Sequence, residues 1–97
     1  MSQKPKRFVS RHVEKKVLRA AHRASFKNGD AIRQSTLCRC FFCLKEFPAA
    51  EADLISEIDG QQTAWCPYCN IDSVLGDAQP FPFTYAFSKA MRKFWFR

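Results

Sequence analysis

The apolar positions fall into three regimes along the chain. Taken at about 100° per residue, Val13, Val17, Ala20, Ala21 and Ala24 gather on one face, with Val9 leading into it. Arg11, Lys15, Arg19 and Arg23 gather opposite, joined by His12 and His22, with Lys16 and Lys27 nearer the margin. Ser10 suits an N-cap and Asn28-Gly29 a stop, so the pattern predicts a helix over 10–28 behind a basic leader at 1–9. Leu18 and Phe26 interrupt its basic face. In the middle, residues 54–58, the pair Asp59-Gly60 and residues 62–65 predict a β-hairpin. Beyond Pro80 and Pro82 a helix is expected over 83–96, with Phe83, Phe87, Ala90, Met91 and Phe94 on one face and Trp95 at its margin. Those large aromatics can pack on the small Val/Ala face of the first helix. Tyr85, Lys89, Arg92, Lys93 and Phe96 are left outside as a mixture of aromatics and cations.

Charge divides along the same lines. Residues 1–39 carry eleven lysines and arginines against Glu14 and Asp30, a net of +9. Residues 40–79 carry Lys45 against seven acids, a net of −6, and residues 80–97 carry four cations and no acid. Cations four apart on one helix repel by a few tenths of a kcal/mol per pair. The row Arg11, Lys15, Arg19, Arg23 is therefore either a solvated face or one kept for an anionic partner. Its Val/Ala face lacks the Trp, Phe and Leu of a membrane-surface helix.

The 97 residues, 46% hydrophobic and 26% charged, are expected to form one domain over 1–97. The apolar runs are too short to cross a bilayer, and the basic start leads into no signal-peptide core. A cytoplasmic setting is expected, where thiols stay reduced and five cysteines point to metal before disulfides.

Four of those cysteines form two knuckles, Cys40-x2-Cys43 and Cys66-x2-Cys69, with 22 residues between them. Two-residue spacing turns both sulfurs of a knuckle toward one point, and two knuckles close a tetrahedral site with Zn–S distances of about 2.3 Å. One structural Zn²⁺ held by Cys40, Cys43, Cys66 and Cys69 is expected, without the open ligand position that catalysis requires. Iron would instead make a rubredoxin-like carrier, but rubredoxins are acidic and usually place Gly after each knuckle, where this chain has Leu44 and Asn70. Cys38 is left over, as a partly buried free thiol or as a ligand exchanging with Cys40. The expected fold is α+β: a small zinc-ribbon or treble-clef-like hairpin unit over 38–77, flanked by the basic helix and by an aromatic helix within 80–97.

The stretch Cys40-Phe41-Phe42-Cys43, then Cys66-Pro67-Tyr68-Cys69-Asn70-Ile71-Asp72-Ser73-Val74-Leu75-Gly76-Asp77, resembles a family of small, uncharacterised bacterial cytoplasmic proteins. They share a Cys-x2-Cys knuckle and a Cys-Pro-Tyr-Cys-x-Ile-Asp-Ser-Val-x-Gly-Asp stretch. The resemblance implies a zinc-binding bacterial or phage-borne protein and carries no assigned activity. Asn70 departs from the commoner Gly.

Asp72, Ser73 and Asp77 read as caps and turn residues, with Asp72 and Ser73 opening a short turn through Val74-Leu75. No base stands beside Ser73 in sequence, and His12 and His22 are ten apart, too far to share an ion on one helix. No catalytic residue and no small-molecule substrate is expected. The leading expectation is a non-enzymatic module that binds nucleic acid with low sequence specificity through Arg11, Lys15, Lys16, Arg19, Arg23 and Lys27, extended by Lys89, Arg92 and Lys93. The alternative is a bacterial or phage-borne adaptor or inhibitor that docks on an acidic or nucleic-acid-binding protein.

Overall fold

The computed structural model of the chain describes residues 13–96. The basic leader 1–9, the Ser10 cap, Arg11 and His12 lie outside the described residues.

The first helix is shorter than expected. α1 spans Lys15–Ala24, and Glu14 precedes it in extended conformation with no side-chain cap. It stops at Ser25, whose hydroxyl donates to His22 O at 2.7 Å. Lys27 then turns the chain at φ 55°. Asn28-Gly29 does not merely stop a helix but opens another: α2, Gly29–Arg33, begins with Ile32 N donating to Asn28 O at 2.9 Å. Gly29 answers to close approach, because a Cβ there would lie 2.9 Å from Gln62 Cβ and 3.0 Å from Gln62 O.

Two small antiparallel sheets follow. β1 (Leu37–Cys40) is the centre of one, flanked by β2 (Glu46–Pro48) and β5 (Val74–Gly76). Cys38 lies opposite Phe47 on one side and Gly76 on the other. After a 3-10 turn at Ala49–Glu51, β3 (Asp53–Ser56) and β4 (Gln62–Trp65) form the expected hairpin, with Leu54 opposite Ala64. Glu57 and Ile58, expected in the strand, belong to its turn, which Gly60 closes at φ 88° with its N–H on Glu57 O at 2.9 Å. α3 spans Tyr85–Trp95 and is capped by Thr84, which accepts from Phe87 N at 3.0 Å. Phe83 therefore sits ahead of the helix rather than on its core face, and the Arg39 guanidinium lies 4.9 Å from its ring centroid.

The three-stranded sheet separates two apolar layers. Cys38, Cys40, Phe47 and Val74 join Ile32, Ala64 and Cys66 in one. Leu75 joins Phe41, Leu18, Ala21, Phe87 and Met91 in the other, where α1 meets α3. The aromatic helix does pack against small residues of α1, but the contact is rotated: Leu18 is buried instead of interrupting the cationic face. Trp95 explains the rotation, since its ring stacks on His22 at 4.1 Å and its Nε1 donates to Leu18 O at 3.3 Å. Among the described residues no helix is long and apolar enough to cross a membrane.

A buried polar hub ties the layers together. Asn28 donates from Nδ2 to Val74 O at 2.9 Å and accepts Ala64 N at 3.0 Å, linking β5 to β4. Its neighbour Gln79 accepts from Gly76 N at 2.9 Å and donates to Ala24 O at 2.8 Å, fastening the end of α1 to the same point.

Candidate metal centre

β1 delivers Cys40 and β4 leads directly into Cys66, so each knuckle springs from a paired strand. The two turns follow one pattern. Leu44 N donates to Cys40 O and Asn70 N to Cys66 O, both at 2.9 Å. Leu44 and Asn70 then take φ of 69° and 61°, the left-handed conformation that Gly occupies most readily. Asn tolerates this region, whereas a Leu there costs about 1–2 kcal/mol. The departures from Gly thus leave the turn geometry intact, at a conformational cost concentrated in Leu44.

The four sulfurs of Cys40, Cys43, Cys66 and Cys69 lie within 4.8 Å of one another. Cys40 Sγ is 3.6 Å from Cys69 Sγ, and Cys43 Sγ is 3.7 Å from Cys66 Sγ. A tetrahedron with metal–sulfur bonds of about 2.3 Å has edges of about 3.8 Å, so the cluster has the dimensions of a four-thiolate site. A disulfide would need about 2.05 Å, and all five cysteines are free. The four-cysteine set can hold one metal ion in a structural role.

Backbone N–H groups already face the sulfurs. Phe42 N and Cys43 N approach Cys40 Sγ at 3.3 and 3.4 Å, and Tyr68 N approaches Cys66 Sγ at 3.4 Å. The hydroxyl of buried Ser73 lies 3.2 Å from Cys40 Sγ. Burial raises the Cys40 thiol, but hydrogen bonds led by Ser73 outweigh it and hold it below its ordinary value. Cys66 and Cys69 move the other way, chiefly by burial, and Cys69 is further raised by Cys40.

Ser73 is the residue that sequence reasoning misplaced. Val74–Gly76 is a strand rather than a turn to be capped, and Ser73 points its hydroxyl at Cys40 Sγ while its carbonyl accepts Phe41 N at 2.8 Å. Its one signal was a small hydroxyl residue four positions beyond a knuckle. Asp77 caps the start of β1, accepting Thr36 N at 2.9 Å and Leu37 N at 3.3 Å, while Asp72 is exposed. Cys38 is buried on β1 outside the sulfur cluster, its thiol pushed up to about 12 by burial and by Asp77.

The cations divide by location. Lys15, Lys16, Arg19 and Arg23 are exposed on α1, and Lys89, Arg92 and Lys93 are exposed on α3. Lys27 leaves the row, because beyond the helix its Nζ bonds Asp59 Oδ2 at 2.7 Å. Lys16 Nζ lies 3.7 Å from Glu14. The Arg19 guanidinium lies 6.0 Å from the Phe94 ring centroid, where the two helices abut. Arg92 donates to Phe42 O at 2.8 Å, joining α3 to the first knuckle.

No known protein family, curated protein or solved structure matches the chain.

Proposed function

We propose that the protein is a non-enzymatic module in which one structural Zn²⁺ holds together a nucleic-acid-binding surface of low sequence specificity. The four-thiolate set would accept zinc or iron, and zinc is favoured by the net charge of +7 and by Leu44 and Asn70 after the knuckles, against the acidic, Gly-bearing rubredoxins. The observation that carries the binding reading is the exposed row Lys15, Arg19 and Arg23. Among the described residues these three make no salt bridge, although repulsion four residues apart works against the helix. Neutralising phosphates turns that repulsion into affinity. A four-thiolate metal site calls for a compartment that keeps its thiols reduced.

Retention on immobilised duplex DNA against salt is the test. The expected log–log slope is about −0.9 per phosphate contact, with most retention lost in the double variant Lys15→Glu, Arg19→Glu. Passage of the wild-type protein at low salt over both duplex and single-stranded DNA would overturn the reading.

A protein-binding adaptor is the second reading. It is favoured by Ile58, 107% exposed at the tip of the acidic hairpin beside Glu57. Stable capture of one protein that survives the double variant and is lost on Ile58→Asp would establish it.

A further inference from the structure

We propose that the groove between α3 and the first knuckle takes single-stranded nucleic acid, a reading that rests on the nucleic-acid function above and narrows it. The groove is a shallow, solvent-open depression of about 650 Å³ between Leu44 and the outer side of α3. Ala86, Ala90 and Phe96 give it an apolar floor, and Lys89, Arg92 and Lys93 are its charged residues. No acid lines it, so its charge matches a polyanion.

Two features favour an unpaired strand. A duplex keeps its base faces stacked inside and offers a protein its phosphates and groove edges. A single strand turns base faces outward, and these gain from apolar and aromatic surface beside cations that track the backbone. Phe96 is braced for such contact, with its ring 4.9 Å from Phe42 in edge-on geometry. Arg92 is fixed as well, bonded to Phe42 O at 2.8 Å with its guanidinium 5.2 Å from the Phe42 ring centroid. The second feature is Leu44, a bulky side chain at a left-handed position that lines the groove, where Gly would be the easier choice. Arg92 and Phe96 are thus tied to the first knuckle through Phe42. Across α3, on the side facing α1, the Arg19 guanidinium lies 6.0 Å from the Phe94 ring centroid.

The test uses the full, metal-loaded chain, with a fluorescent single-stranded oligothymidine and a duplex of equal length as probes at one salt concentration. The single strand is expected to bind about tenfold more tightly than the duplex. Ala86→Glu places a charge on the floor at an exposed position in the first turn of α3, where an acid suits the helix dipole and the fold is kept. It is expected to weaken the single strand about tenfold and the duplex less than about twofold. Lys93→Glu should act in the same direction. Equal affinity for both probes, with Ala86→Glu affecting both alike, would overturn the groove and leave the nucleic-acid function standing. Binding of neither probe would overturn both. Displacement of the strand by polyglutamate as effectively as by unlabelled strand would overturn it in favour of an acidic protein.

Discussion

The Ser73 hydroxyl lies 3.2 Å from Cys40 Sγ and joins the start of β5 to the sulfur cluster at the end of β1. A thiolate has no hydrogen to give, so in the ionised site the serine donates. That bond aims the sulfur and disperses its charge. Ser73→Ala should lower metal affinity about tenfold, the scale set by groups that orient metal ligands, as read by competition with a chelator. The pH dependence follows in sign. Each protonated ligand must lose its proton to bind the ion, so affinity falls as pH falls. Ser73 helps hold the Cys40 thiol low, so the alanine variant should begin to lose metal at a higher pH than wild type.

Asn28 is the second point of leverage. It is buried and serves Val74 O and Ala64 N at once. Asn28→Ala leaves both backbone groups without a partner, and Gln79 loses the neighbour 3.3 Å from its Oε1. Unsatisfied buried groups cost about 1–3 kcal/mol each. A loss of about 3 kcal/mol is expected in chemical denaturation of the metal-loaded protein. A loss under about 0.5 kcal/mol, the size of an ordinary surface change, would mean the hub does not hold the sheets together.

Leu44 predicts the opposite sign. Replacing it with Gly removes the left-handed penalty of about 1–2 kcal/mol and gives back about 0.5–1 kcal/mol through the freer unfolded chain. Leu44→Gly should therefore raise stability by a few tenths to about 1 kcal/mol, seen as a higher denaturation midpoint. Because Leu44 also lines the groove, the same variant should bind the single strand more weakly. A gain in stability together with a loss in binding would mark the leucine as retained for contact.

The four clustered cysteines were legible because a knuckle is a local turn: two residues between cysteines suffice to converge their sulfurs, whatever the rest of the chain does. The hairpin was legible through Asp59-Gly60 and the last helix through its aromatic period. The sheet β2–β1–β5 was not. Its strands have three or four residues, too few to show an alternation, and Cys38 pairs with Gly76 across most of the domain. The orientation of α1 also escaped, since the stacking of His22 on Trp95 decides it and joins residues far apart in the chain. Lys27 read as one more helical cation because nothing local announces its bond to Asp59 at the hairpin tip. The roles of Ser73 and Asn28 were hidden for the same reason. Both are small polar residues whose partners arrive from other strands.

Metal content and its removal test the central claim most directly. The expected result is one zinc per folded chain, with loss of the ion and of cooperative folding on chelation or in Cys66→Ser. Structural zinc contributes about 10–16 kcal/mol of apparent binding energy, comparable to the whole stability of a small domain. A purified protein without metal, or one that keeps its thermal transition unchanged in excess chelator, would contradict it.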